Sequence, residues 1–151
     1  YDKDGNLKDW WTAEDAKNFE ARAAVMANFF DSIEVAPGVH ANGEFTLGEN
    51  IADHGGLQVS YQAFKKATAA APLRIENGFT PEQRFFLSYA NVWAGNIRPE
   101  EILKRTKTDP HSLGKWRVDG ALPQIGAWYE AFNITEKDPM YLPVDKRVSI
   151  W

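Results

Sequence analysis

Glu49 and Asp53 stand four residues apart in Glu49-Asn50-Ile51-Ala52-Asp53, so a helix through them carries both carboxylates on one face. A carboxylate aimed this way can give zinc a borderline-hard oxygen ligand. A second one, a turn away, can orient a ligating histidine. The same residues have a plainer reading. Thr46-Leu47-Gly48-Glu49 fits a capping box, in which Glu49 satisfies a backbone N–H and Asp53 is a solvated surface charge. Spacing leaves both readings open.

His111 and Arg117 form a second constellation, in Thr108-Asp109-Pro110-His111-Ser112-Leu113-Gly114-Lys115-Trp116-Arg117-Val118. An imidazole can donate to an oxyanion developing on a scissile carbonyl. A guanidinium can hold a carboxylate or a peptide carbonyl in a fixed fork. Asp109 is near enough in sequence to orient His111. Against this, His111 can cap a turn and Arg117 can pair with a surface acid. The chain has three histidines, His40, His54 and His111, and none pairs with another at metal-ligand spacing. There is no His-Glu-x-x-His, so a complete zinc site cannot be drawn from these residues. With no cysteine, disulfides, thiolate zinc sites and cysteine nucleophiles are excluded.

The elements that must position these groups read as mainly helical. Thr12 is a cap residue with Glu14 and Asp15 in the first turn. Phe19, Ala23, Met26 and Phe30 recur at helical spacing, which predicts a helix over about 13–31. Pro37-Gly38 and Asn42-Gly43 mark a loop or short hairpin. A second helix is expected from Thr46 to about Ala71, with Leu47, Ile51, Leu57, Tyr61 and Phe64 as its apolar stripe. Gly48, Gly55 and Gly56 weaken it and point to a close approach of other backbone or a ligand. Thr80-Pro81-Glu82-Gln83 opens a third helix with a capping box, and Phe85, Phe86, Tyr89, Val92 and Trp93 are expected on its buried side. A short fourth helix runs from Pro99 to about Lys107. Residues 109–119 read as irregular, and a fifth helix is expected from Leu122 or Pro123 to Phe132. Asp2-Lys3-Asp4-Gly5-Asn6 reads as a turn, since its glycine sits too early for a calcium loop. No repeat or linker divides the 151 residues, so the expectation is one unit.

Bulk composition narrows the classes. Hydrophobic residues make up 44% and aromatics 13%, which is globular rather than disordered. A net charge of −4 argues against a nucleic-acid surface. Apolar runs such as Ala69 to Pro72 are far too short to span a bilayer. The chain starts at Tyr1 without a visible signal peptide, and a fragment or processed product is expected.

Asn42-Gly43-Glu44-Phe45-Thr46-Leu47-Gly48-Glu49-Asn50-Ile51-Ala52-Asp53-His54-Gly55-Gly56-Leu57 resembles the third-ligand motif of the neprilysin and endothelin-converting-enzyme family of zinc metallopeptidases. Other blocks are similar to that family in the same order. They are Asp4-Gly5-Asn6-Leu7 with Asp9-Trp10-Trp11-Thr12, then Phe85-Phe86 through Val92-Trp93-Ala94-Gly95 and Arg98-Pro99-Glu100. Lys107-Thr108-Asp109-Pro110-His111-Ser112 with Arg117-Val118 and Gly120 follows, and Trp151 fits the family's C-terminus. Animal members carry cysteines in this stretch. Their lack here looks like bacterial members, for which a periplasmic, secreted or cell-envelope location is the expectation. On that ground the sequon Asn133-Ile134-Thr135 is discounted.

The resemblance implies a role for each candidate. Glu49 would be the third zinc ligand, beside two histidines upstream of this chain. Asp53 would orient one of them. His111 would stabilise the tetrahedral intermediate. Arg117 would bind a substrate carbonyl and hold the site together. Val92 and Trp93 would line the pocket for the residue after the scissile bond, favouring large apolar side chains. The implied fold is the C-terminal helical portion of a zincin-type catalytic domain, and the implied reaction is zinc-dependent hydrolysis of peptides. The general base would be the glutamate of an upstream His-Glu-x-x-His, so this stretch alone is expected to be inactive and not to hold zinc by itself. Two other readings stand beside it. One is a helical interaction module that uses the six tryptophans and nine phenylalanines against a partner. The other is a family member whose upstream motif has decayed.

Overall fold

The structure is a computed structural model that describes residues 1–150, so Trp151 and its terminal resemblance lie outside the described residues. Among the described residues there are six α-helices, two 3₁₀ turns and one small hairpin, so the fold is mainly α as expected. Helix α1 (Ala13–Asp31) begins where Thr12 accepts a hydrogen bond from the Asp15 backbone N–H, and it buries Ala23, Met26 and Phe30. Strands β1 (Glu34–Ala36) and β2 (Val39–His40) pair antiparallel around Pro37-Gly38, with Gly38 at a φ of 72°. The first residues form a turn, in which Asp2 Oδ1 accepts from the backbone N–H groups of Asp4 and Asn6.

Helix α2 (Leu47–Ala69) joins two apolar clusters. Near its start, Leu47 and Ile51 pack against Met26, Phe30, Ile33 and Val148. Further along, Leu57 and Tyr61 join Phe86, Leu122, Ile125, Trp128 and Tyr129. The second cluster is completed by α3 (Pro81–Val92), which has the expected Thr80–Gln83 capping box, and by α6 (Gly126–Phe132). Between them run α4 (Pro99–Thr108) and α5 (Gly114–Asp119). Gly43 sets how α1 meets the approach to α2. A Cβ there would collide with the Ala27 carbonyl, and the Gly43 N–H donates to Asp31 Oδ1 at 2.6 Å.

Several expectations change. The stretch 109–119, read as irregular, contains α5. The expected fifth helix is broken into a 3₁₀ turn over Leu122–Gln124 and α6, because Ile125 between them is extended, at φ −105° and ψ 109°. Val92, placed on the buried side of α3, is 69% exposed. The fully buried residue there is Phe86. Gly48 and Gly56 have nothing within 4 Å of where a Cβ would sit, so no backbone of the described residues explains them. The deepest positions of α2 include two polar ones, Asn50 and His54, at the inward-facing spacing i, i+4.

His54 is fully buried, and its Nε2 lies 2.9 Å from Gln58 Nε2. The amide can only donate from that atom, so Nε2 accepts and the ring proton sits on Nδ1. Burial pushes the imidazole below its ordinary 6.5. The unfolded chain then binds a proton that the folded chain refuses. Stability is therefore lost as pH falls below 6.5, by up to about 1.4 kcal/mol per pH unit. The unfolding midpoint of His54→Asn is expected to fall less between pH 7.5 and 5.5 than that of the native chain. Parallel slopes would remove His54 as the cause.

Candidate active site

The capping-box reading of Glu49 does not survive the geometry. Thr46 makes no side-chain cap bond to α2. Its hydroxyl donates to the Asn42 carbonyl at 2.9 Å and accepts from Asn50 Nδ2 at 3.0 Å. Asn42 serves the preceding turn instead, accepting from the Phe45 N–H. The Glu49 carboxylate is thus released from backbone work and stands 44% exposed on the first turn of α2.

What it meets is His111. His111 Nε2 lies 3.3 Å from Glu49 Oε2. The two residues come together because their neighbours are tied in the core. Ser112 Oγ donates to Asn50 Oδ1 at 2.8 Å, with both residues buried. That bond closes a loop of 62 residues and fixes the 109–117 segment against α2. His111 is oriented from its other side. Its Nδ1 lies 2.7 Å from Asp109 Oδ1, and its backbone N–H donates to the same oxygen at 3.0 Å. These bonds, with those from Arg105, hold the Asp109 carboxyl down at about 2. An ionised carboxylate can only accept, so His111 carries a proton on Nδ1 and turns Nε2 toward Glu49.

One helical turn along, Arg117 grips Asp53. Its Nε donates to Oδ2 and its Nη2 to Oδ1, both at 2.7 Å, and the side chains are only 14% and 13% exposed. Arg117 is held in place by what flanks it. Trp116 packs into the cluster around Met26, and Val118 into the cluster around Phe86. Its guanidinium lies 3.8 Å from the centre of the Trp93 ring. Its carbonyl accepts from the Tyr89 hydroxyl at 2.7 Å. Burial, reinforced by the Asp53 charge, pushes that phenol up to about 12. Among the described residues Nη1 has no hydrogen-bond partner, so it can take a further acceptor.

The pairing of Asp53 and Arg117 sets up a stability prediction. Arg117→Met strands a carboxylate in a mostly dry position and is expected to cost about 3 kcal/mol. Adding Asp53→Asn should recover part of that loss, as coupled neighbours do. Denaturant midpoints of the two single variants and the double variant test it. Strict additivity would mean the fork carries no coupling.

Val92, Trp93, Ile102, Arg105, Leu113 and Arg117 contribute to the walls of one cleft of about 560 Å³. Both proposed pocket residues line the same cleft as Arg117, with Trp93 under the guanidinium and Val92 largely exposed. The two constellations, more than 60 residues apart in sequence, are brought to one place, Glu49 beside His111 and Asp53 beside Arg117. Sequence reasoning missed Asn50, Ser112, Tyr89 and Arg105. The signal for the first was present, because a polar residue four after Thr46 falls on the inward side of α2.

A zinc ion can be tested against these groups. Glu49 offers an oxygen donor with no competing backbone bond, which fits one position of a zinc site. Among the described residues no cluster of three His, Asp or Glu side chains could hold a metal. Nor, among them, is any helix long and apolar enough to cross a membrane.

Comparison with known proteins identifies the family. Human neprilysin is 37% identical over 100% of the chain, and bovine endothelin-converting enzyme 1 is 38% identical over 93% of it. The chain spans only 20% and 19% of the lengths of these relatives. A Mycobacterium tuberculosis zinc metalloprotease, solved with an inhibitor, superposes with a TM-score of 0.93 at 35% identity. That match covers 100% of this chain and 24% of that one. The helical fold described above is thus shared with a solved metalloprotease. The profile of peptidase family M13 matches residues 1–148, and on that extent of match, with the ordered blocks around Glu49 and His111, the chain belongs to peptidase family M13.

Proposed function

We propose that this chain is the C-terminal part of the catalytic domain of a zinc-dependent, neprilysin-type endopeptidase, and that Glu49 is its zinc ligand. The observation that carries the reading is the meeting of Glu49 with His111, beside the Asp53–Arg117 fork. A carboxylate freed from capping and faced by an oriented imidazole is poor surface design and good site design. Family membership favours this reading over an interaction module.

Zinc, when bound, would lower the pKa of a water and polarise the scissile carbonyl. The chain's own residues do the rest. Glu49 would give a carboxylate oxygen to the metal, alongside two histidines outside this chain. Asp53 helps fix the orientation of the ligand set while its charge is balanced by Arg117. As an imidazolium, His111 would keep one proton on Nδ1 for Asp109 and offer the other, on Nε2, to the oxyanion of the tetrahedral intermediate. The unused Nη1 of Arg117 takes a substrate carbonyl. Trp93 and Val92 receive a large apolar side chain, whose burial drives binding. The substrates are peptides, the partner is the remainder of the same peptidase, and the setting is the bacterial periplasm, envelope or exterior.

The full-length enzyme should cleave a peptide with a large apolar residue after the scissile bond. Activity should vanish on chelation and return with zinc, whereas residues 1–151 alone should not cleave. Cleavage that persists after exhaustive chelation would refute the zinc reading.

A further inference from the structure

Asp109 ends α4, and each oxygen of its carboxylate is taken. Oδ1 accepts from the backbone N–H of His111 and from its Nδ1, at 3.0 and 2.7 Å. Oδ2 accepts from Arg105 Nε at 2.9 Å and lies 2.7 Å from Arg105 Nη2. Rotation about the Cβ–Cγ bond carries both oxygens together, so whatever holds Oδ2 also holds Oδ1 and the imidazole bonded to it. A guanidinium fork on Oδ2 fixes the carboxylate plane, which a single ammonium does not. The backbone adds to this. Asp109 precedes Pro110 and takes the extended conformation that a following proline favours, φ −104° and ψ 121°, so the turn from Asp109 to His111 has little freedom of its own. Arg105 also lines the cleft that holds Trp93 and Arg117.

We propose that Arg105 is a positioning residue for catalysis, setting the direction of the His111 ring through the Asp109 carboxylate. The inference rests on the reading of His111 as the oxyanion donor. Its rival is an ordinary i, i+4 ion pair at the end of a helix, which would touch the stability of α4 and leave turnover alone.

A four-cornered cycle in the full-length enzyme separates them, using the native protein, Arg105→Ala, His111→Gln and the double variant. Arg105→Ala is expected to lower kcat about tenfold with KM within about twofold, a fraction of the roughly 10²–10³ carried by the donor itself. In the His111→Gln background the same change should cost nothing further, since the residue it acts through is gone. Arg105→Lys keeps the charge without the fork and should fall between, at about threefold. It carries the test if the alanine variant folds poorly. Equal losses in both backgrounds, or an unchanged kcat for Arg105→Ala while His111→Gln is impaired, would overturn the positioning role alone. An unimpaired His111→Gln would overturn that role together with the reading of His111.

Discussion

Replacing His111 by Gln in the full-length enzyme is expected to lower kcat by about 10²–10³ and leave KM within a few-fold. Loss of one oriented donor to a developing oxyanion has about that cost, roughly 3–4 kcal/mol of transition-state stabilisation. The loss should fall on kcat because the oxyanion exists only as the carbonyl is attacked, and ground-state binding barely uses it. The geometry gives this prediction its particular form. Asp109 holds Nδ1, so Nε2 is the atom that faces Glu49 and the site. A glutamine can fill the volume and still lacks a donor fixed by a carboxylate behind it. Zinc content should not change, since His111 is not proposed as a ligand. Steady-state kinetics on a fluorogenic peptide, with zinc measured on the same preparation, tests this. A variant with native kcat and raised KM would make His111 a substrate-binding group instead.

The long helices were legible because their periods and caps agree. Thr12 and Thr80 lie at helix starts followed by apolar residues at helical spacing, and both helices begin where those residues put them. Thr46 looked equivalent and was not. Its hydroxyl has a tertiary choice, the Asn42 carbonyl and the Asn50 amide, and these partners win over the backbone N–H of the first turn. That one local outcome separates a capping Glu49 from one available to a ligand. Helix α5 was hidden for another reason. Gly114-Lys115-Trp116-Arg117-Val118-Asp119 is too short to show a period, and it is held by Trp116 and Val118 entering two different clusters. The pairing of Asp53 with Arg117 was illegible too. It spans 64 residues and depends on how α5 meets α2. The candidate residues themselves were found, chiefly through the resemblance of their motifs. Their mutual distances required the fold.

The same division applies to the buried polar residues. Asn50 and Ser112 lie next to Glu49 and His111 in sequence, and their mutual bond fixes the two candidate side chains beside each other. A pattern search that seeks apolar residues inside and polar ones outside passes over such a pair.

Glu49 remains the residue on which the reading stands. If zinc binding is worth about 10–16 kcal/mol across its ligands, loss of one of three protein ligands costs on the order of 3–5 kcal/mol, or about 10²–10⁴ in affinity. Glu49→Gln keeps shape and removes the charge that a zinc ligand needs. Its other contact in the chain, with His111, is half-exposed, and losing it should leave the fold intact. The most direct measurement is the zinc content of full-length Glu49→Gln after dialysis against a competing chelator, alongside native enzyme, with peptide cleavage read on both. The variant should lose its zinc at chelator concentrations the native enzyme withstands and lose cleavage with it. Native zinc retention together with native cleavage would contradict the assignment of Glu49 as the ligand.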